Sequence, residues 1–206
     1  MLDTNLSDDE KAEALKRWWS ENGKSLIGGI VLGLALIFGY RGWNEHQANQ
    51  AIHASAEYER LQSTIQRGDL VAAEKQLEII NKEYSNTNYD FFASLDLAKT
   101  YVNEGDLNAA KSQLENAVAN VSDLGLKQLA ESRLARVLLA LDEVDAAQEI
   151  VNNAKKGAFA GEFAHIEADI HRSKGNVDEA KTAYRKALDN NASNKAFIEM
   201  KFNEVN

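Results

Sequence analysis

The chain has 206 residues, with 23 Lys+Arg against 32 Asp+Glu, a net charge of -9, and neither proline nor cysteine. The lack of cysteine excludes disulfides, thiol catalysis and Cys-ligated zinc. The acidic balance argues against nucleic acid and against a polybasic lipid-binding surface, because 18 Lys+Arg face 26 Asp+Glu after residue 44.

In chain order, Met1 to Leu6 reads as a frayed end. Ser7-Asp8-Asp9-Glu10 has capping-box spacing, a serine followed three residues later by glutamate. It predicts a helix over Asp8 to Asn22, with three acidic residues favourable at its positive end. Gly23-Lys24-Ser25 imitates the end of a phosphate-binding loop. Trp18 stands where that loop needs its first glycine and no strand precedes it, so no such loop is expected.

Ser25 to Tyr40, SLIGGIVLGLALIFGY, carries no charge. As a helix it covers about 24 Å, and its flanks supply the rest of a hydrocarbon core of about 30 Å. Lys24 and Arg41 can snorkel, while Trp18, Trp19, Tyr40 and Trp43 suit the two interfaces. A transmembrane helix is expected over 25–43, with residues 1–24 before it and a domain over 45–206 after it. The acidic, long leading segment does not suit a cleaved signal peptide, and Ala54-Ser55-Ala56 lies too far beyond the apolar run to be its cleavage site. Lys11, Lys16, Arg17 and Lys24 precede the span, and only Arg41 and Arg60 follow closely. The positive-inside rule then places the N-terminus in the cytoplasm. Within the span Gly29 and Gly33 form a GxxxG pair, a candidate contact face for a second copy or another membrane protein.

From Glu45 onward the composition is helical throughout. Gly68-Asp69-Leu70-Val71-Ala72-Ala73 is echoed by Gly105-Asp106-Leu107-Asn108-Ala109-Ala110, Asp142-Glu143-Val144-Asp145-Ala146-Ala147 and Gly175-Asn176-Val177-Asp178-Glu179-Ala180, at steps of 37, 37 and 33 residues. That period belongs to stacked helical hairpins of the tetratricopeptide kind. Each glycine marks a tight turn, and the Asp or Asn after it is placed to cap the second helix. Small residues recur in the first helix at Ala98, Ala135 and Ala168, with Leu61 in that place in the first repeat. In the second helix Ala73, Ala110, Ala147 and Ala180 recur, followed by Leu77, Leu114, Val151 and Tyr184 and then by Ile80, Ala117, Ala154 and Ala187. The terminal proline of the tetratricopeptide pattern is absent from every copy. The expected fold is all-α: a single transmembrane helix, then four helical hairpins to about Asn190. Lys195 to Phe202 forms a final helix that caps the apolar end of the stack.

Nothing in the pattern points to catalysis. His46, His53, His165 and His171 are the only histidines. No HExxH, G-x-S-x-G, G-x-G-x-x-G or calcium loop occurs, so neither an enzyme nor a cofactor or metal site is expected.

Glu21-Asn22-Gly23-Lys24, the glycine-rich span, Trp43-Asn44-x-His46-Gln47, Ala93-Ser94-Leu95-Asp96-Leu97-Ala98, Leu134-Ala135-Arg136-Val137 and Met200-Lys201 resemble the YfgM family of ancillary translocon subunits, in the same order along the chain. The resemblance implies a single-span inner-membrane protein of Gram-negative bacteria with a periplasmic tetratricopeptide-like domain. It implies association with the SecYEG channel and with PpiD, a membrane-anchored periplasmic chaperone, and a role in passing newly translocated proteins to periplasmic chaperones. A cytoplasmic link to a stress-response regulator is implied as well, and no catalytic residues come with it.

Independently of the resemblance, a helical solenoid offers a concave face lined by its first helices, suited to an extended segment or a partner helix. The turn register places Tyr58, Gln62, Phe92, Lys99, Asn103, Arg136, Asp169 and Arg172 on that face, with Tyr58 and Phe92 as its aromatic anchors. Two other roles fit the same repeats: a scaffold of cell-envelope biogenesis, and a regulator acting through residues 1–24. Homodimerisation, through GxxxG or the solenoid, fits as well.

Overall fold

The computed structural model describes residues 8–205, and the described residues are helical with no strand. Ser7, the expected capping residue, lies outside them. Helix α1 runs Asp8–Gln66, and Asp8, Asp9 and Glu10 occupy its first turn. The separate helix expected to end at Asn22 is therefore part of one longer element. No proline stands anywhere to break it, and an isolated glycine costs a helix only about 1 kcal/mol. By their contacts the residues divide into a unit up to Gln50 and one from Ala51. Within the first unit the apolar residues of α1 are exposed, among them Ile30, Val31, Leu32, Leu36 and Phe38. This stretch is long and apolar enough to cross a membrane, with a mean hydropathy of 1.6 over its best window.

In the second unit the end of α1 is followed by α2 (Leu70–Glu83), α3 (Tyr89–Glu104), α4 (Leu107–Asn120), α5 (Leu124–Ala140), α6 (Val144–Asn153), α7 (Ala160–Ser173), α8 (Val177–Asp189) and α9 (Lys195–Glu204). A 3-10 turn at Gly157–Phe159 leads into α7. The recurring small residues have a physical cause. Ala73, Ala110, Ala147 and Ala180 are all fully buried, as are Ala135 and Ala168, and Ala98 nearly so. Only a methyl group fits where paired helices pass this closely. The larger residues one turn on, Leu77, Leu114, Val151 and Tyr184, are buried as well, the first three in one apolar cluster and Tyr184 in a second.

The hairpin turns share a left-handed residue. Gly68, Gly105 and Gly175 have φ of 76°, 83° and 76°, and Asp142 takes the same place in the third hairpin at φ 63°. Asp69 and Asp106 each cap the following helix, accepting from the N–H of Ala72 and Ala109 at 3.0 and 2.9 Å. The other two hairpins depart from the capping expectation. Asn176 and Glu143 hold the cap position without a side-chain bond to the backbone. Glu143 instead accepts from Lys111 Nζ at 2.6 Å, an ion pair between α4 and the residue that precedes α6.

The buried apolar residues form two clusters. The larger runs from Leu61 of α1 to Ile170 of α7, and the smaller joins α7, α8 and α9 around Tyr184 and Ile198. Helix α7 serves both, giving Phe163, Ile166 and Ile170 to one and Ala164 and Ala168 to the other. Helix α9 packs Ile198 against α8 and so closes the end of the stack, as the sequence predicts.

Candidate partner-binding groove

The first helices of the hairpins carry the candidate residues at helical spacing. On α3, Phe92, Asp96, Lys99 and Asn103 fall on one stripe. Two adjoining depressions follow it. One, between α1 and α3, encloses about 280 Å³ and is lined by Gln62, Ile65, Asp96, Lys99 and Asn103 among others. The other, between α3 and α5, encloses about 350 Å³. Lys99 and Asn103 belong to both. The second has an apolar floor of Leu95, Ala98, Val102, Leu114 and Val137, and its rim carries Lys99, Arg133 and Arg136.

Tyr58 lies at the α1 edge of this surface and is not free. Its hydroxyl donates to Asp96 Oδ2 at 2.6 Å, and Gln62 Nε2 donates to the Tyr58 oxygen at 3.0 Å. Its ring sits 5.6 Å from that of Tyr89. Burial, reinforced by the Asp96 carboxylate that accepts its proton, pushes the Tyr58 hydroxyl up to about 12. Tyr58 is therefore a structural tie between α1 and α3. Phe92 is 39% exposed, its ring edge-on to the buried Phe91 at 5.5 Å.

The structure brings Gln62, Lys99, Asn103 and Arg136 onto this surface and separates Asp169 from it. Asp169 is committed to Tyr184 and Lys201, with Oδ1 accepting from Tyr184 at 2.6 Å and from Lys201 Nζ at 2.7 Å. Arg172 is exposed near the end of α7. Arg136 donates to Glu162 of α7. Burial works against the Glu162 charge, but hydrogen bonds from Ser193 and Arg136 outweigh it and hold the carboxyl below its ordinary range. The sequence reading missed Arg133, one turn before Arg136 on the same face of α5, and the floor residues beneath both. The available signal was the spacing of three between the two arginines. On α1, an added Cβ at Gly29 or Gly33 would meet nothing within 4 Å, so the small-residue face is open.

Stacked helical hairpins, with their first helices lining an open groove, define a helical repeat protein. The tetratricopeptide repeat-like domain family matches residues 16–206, and the chain belongs to it. Relatives named ancillary SecYEG translocon subunits come from Haemophilus influenzae, 39% identical over 95 residues, and Escherichia coli K12, 36% identical over 97 residues. The matched stretch spans 46% of this chain in both cases, and 46% and 45% of those relatives. The resemblance to a family of ancillary translocon subunits drawn from the sequence is thus matched by relatives named ancillary SecYEG translocon subunits. Among solved structures, MamA from Desulfovibrio magneticus RS-1 is similar with a TM-score of 0.53 and 15% identity, over 73% of this chain and 86% of that one. A MamA double mutant gives 0.52 over 73% and 85%. At that identity the likeness concerns the fold.

Proposed function

We propose that this protein is a non-enzymatic, membrane-anchored subunit that works beside the SecYEG translocon. It links the channel to PpiD-like periplasmic chaperones by holding polypeptide segments on the open face of its first helices. Residues 25–43 span the inner membrane, residues 1–24 lie in the cytoplasm and residues 45–206 form the periplasmic domain. The observation that carries the binding role is the α3–α5 groove, whose apolar floor and cationic rim lie on a chain that also bears a membrane-compatible helix. The relatives' names supply the translocon, the excess of Lys and Arg before the span supports the orientation, and the chaperone link follows from the family resemblance.

The test is co-purification from mildly solubilised membranes, comparing the native chain with Gly29→Leu/Gly33→Leu. A Cβ added at either glycine meets nothing within 4 Å in the chain itself, so the variant is expected to keep the fold. Channel subunits and a periplasmic chaperone are expected with the native chain, and loss of the channel alone in the variant assigns that contact to the span. Enrichment of a different envelope assembly with neither of them would overturn the proposal.

A further inference from the structure

The groove between α3 and α5 carries an imbalance of charge that points to the chemistry of its occupant. The chain as a whole is acidic, at -9. Yet Lys99, Arg133 and Arg136 all stand on this one depression. Arg136 is already paired with Glu162. Among the described residues Lys99 and Arg133 have neither a hydrogen bond nor an ion pair, and no carboxylate lines the depression they stand on. Two uncommitted cations flank a floor on which Val102 remains 43% exposed while its neighbours Leu95, Ala98, Leu114 and Val137 are covered from below.

We infer that this groove takes an extended polypeptide segment in which an aliphatic side chain is flanked by carboxylates. The aliphatic group sits on Val102 and Val137, and the carboxylates reach Lys99 and Arg133. The volume of about 350 Å³ is at the small end of ligand pockets and suits a few side chains of an extended strand better than a folded surface. Arg133 offers a planar fork matched to a carboxylate, and Lys99 offers a mobile point charge beside it. A basic segment meets two like charges at the rim and is rejected, so the rim selects while the floor supplies attraction. Anionic lipid is the lesser fit, because the domain around the groove is itself acidic and repels a membrane surface.

This inference rests on the groove being the binding face proposed above, and the experiment separates the two. The full chain is placed in phosphatidylcholine nanodiscs, and fluorescence anisotropy is read with three short peptides. Each carries the same leucine, flanked by glutamates, by glutamines or by lysines, and empty nanodiscs are the control. The glutamate peptide is expected to bind about tenfold tighter than the lysine peptide, the size expected of two exposed charge pairs. Lys99→Glu/Arg133→Glu, both exposed and harmless to the core, is expected to abolish or invert that order. Val102→Asp is expected to weaken all three peptides. Equal binding of the three, lost on Val102→Asp, would overturn the charge selection and leave the groove reading in place. Binding that ignores Val102→Asp, or no binding by the native chain, would overturn both. Adding anionic lipid to the nanodiscs is expected to leave glutamate-peptide affinity unchanged; competition that vanishes in the Lys99→Glu/Arg133→Glu variant would assign the rim to lipid and overturn the inference.

Discussion

Lys201 on α9 reaches both carboxylate oxygens of Asp169 on α7, each at 2.7 Å. Tyr184 of α8 donates to the same carboxylate at 2.6 Å, so three helices share one acceptor. The Lys201 and Asp169 side chains are only 13% and 18% exposed, which makes the loss of one partner expensive for the others. Asp169→Ala is expected to cost about 2–4 kcal/mol, because it leaves an ammonium and a hydroxyl without their acceptor in partly dry surroundings. Lys201→Met keeps the stem and removes the charge, with a smaller loss of about 1–2 kcal/mol. Urea unfolding of the repeat domain measures both. A loss under about 0.5 kcal/mol for Asp169→Ala would mean that α9 is held by Ile198 and its apolar neighbours alone.

Acid should loosen the same region. His165 is buried, with Asp169 Oδ2 at 3.5 Å and Lys201 Nζ at 3.4 Å from its Nε2. Burial holds its pKa below the ordinary value; Asp169 and Glu162 oppose that, while the Lys201 and Arg136 charges reinforce it. The unfolded chain therefore binds a proton that the folded chain resists. Stability from this group is complete above the ordinary histidine value of about 6.5 and is lost as pH falls toward the depressed folded value. Glu162, held below its ordinary range, adds a second loss when pH falls below about 4.5. Urea midpoints at pH values of about 7.5, 6 and 5 are expected to fall, and His165→Gln is expected to flatten the first decline. An unchanged slope in that variant would remove His165 as its source.

The third hairpin turn has room for improvement. Asp142 sits at φ 63°, where Gly68, Gly105 and Gly175 serve the other three hairpins. A left-handed residue with a Cβ costs about 1 kcal/mol or more relative to glycine. Asp142→Gly is therefore expected to stabilise the domain by about 0.5–1 kcal/mol, less the entropy it returns to the unfolded chain. Gly105→Ala is expected to destabilise by about 1 kcal/mol. Opposite signs in a thermal-melt comparison identify the conformation as the cause, and equal signs would rule it out.

Gly161 makes a closer demand. A Cβ there would lie 2.6 Å from the Ala192 nitrogen and 2.7 Å from the Asn190 oxygen, so the first turn of α7 rests directly on the backbone between α8 and α9. Backbone cannot move aside as a flexible side chain can. Gly161→Ala is expected to cost about 2–3 kcal/mol, even though alanine is the better helix former. A stability change within about 0.5 kcal/mol of native would show that this contact relaxes freely.

What was legible in the sequence was whatever repeats. The 37- and 33-residue steps place every turn, because a residue in left-handed conformation and an alanine at the helix crossing are needed in each copy. The apolar run was equally plain, since nothing later in the chain approaches its hydrophobicity. What does not repeat was hidden. Gly161 reads as one glycine in a helix, and its role depends on where α9 folds back. Asp169 occupies the register position of Lys99 and Arg136, yet it faces a cap that only the last hairpin meets. Arg133 was passed over because its significance lies in being uncommitted, which is a property of the neighbours that structure puts beside it.

Tyr58 and Phe92 look alike in the register, and the structure assigns them different work. Tyr58 is half-buried and bonded to Asp96 and Gln62, whereas Phe92 is 39% exposed and makes no polar tie. Tyr58→Phe keeps the ring and removes the donor to Asp96, so it is expected to cost about 1–2 kcal/mol of stability with little effect on capture of a leucine-bearing peptide. Phe92→Ala removes an exposed aromatic, with an expected stability loss below about 1 kcal/mol. If Phe92 anchors a bound segment, capture should fall about tenfold. Melting and peptide anisotropy on the two variants give a crossed result when this division is right. A loss of capture in Tyr58→Phe with unchanged melting would return Tyr58 to the binding face, and unchanged capture in Phe92→Ala would confine the site to the α3–α5 groove around Val102.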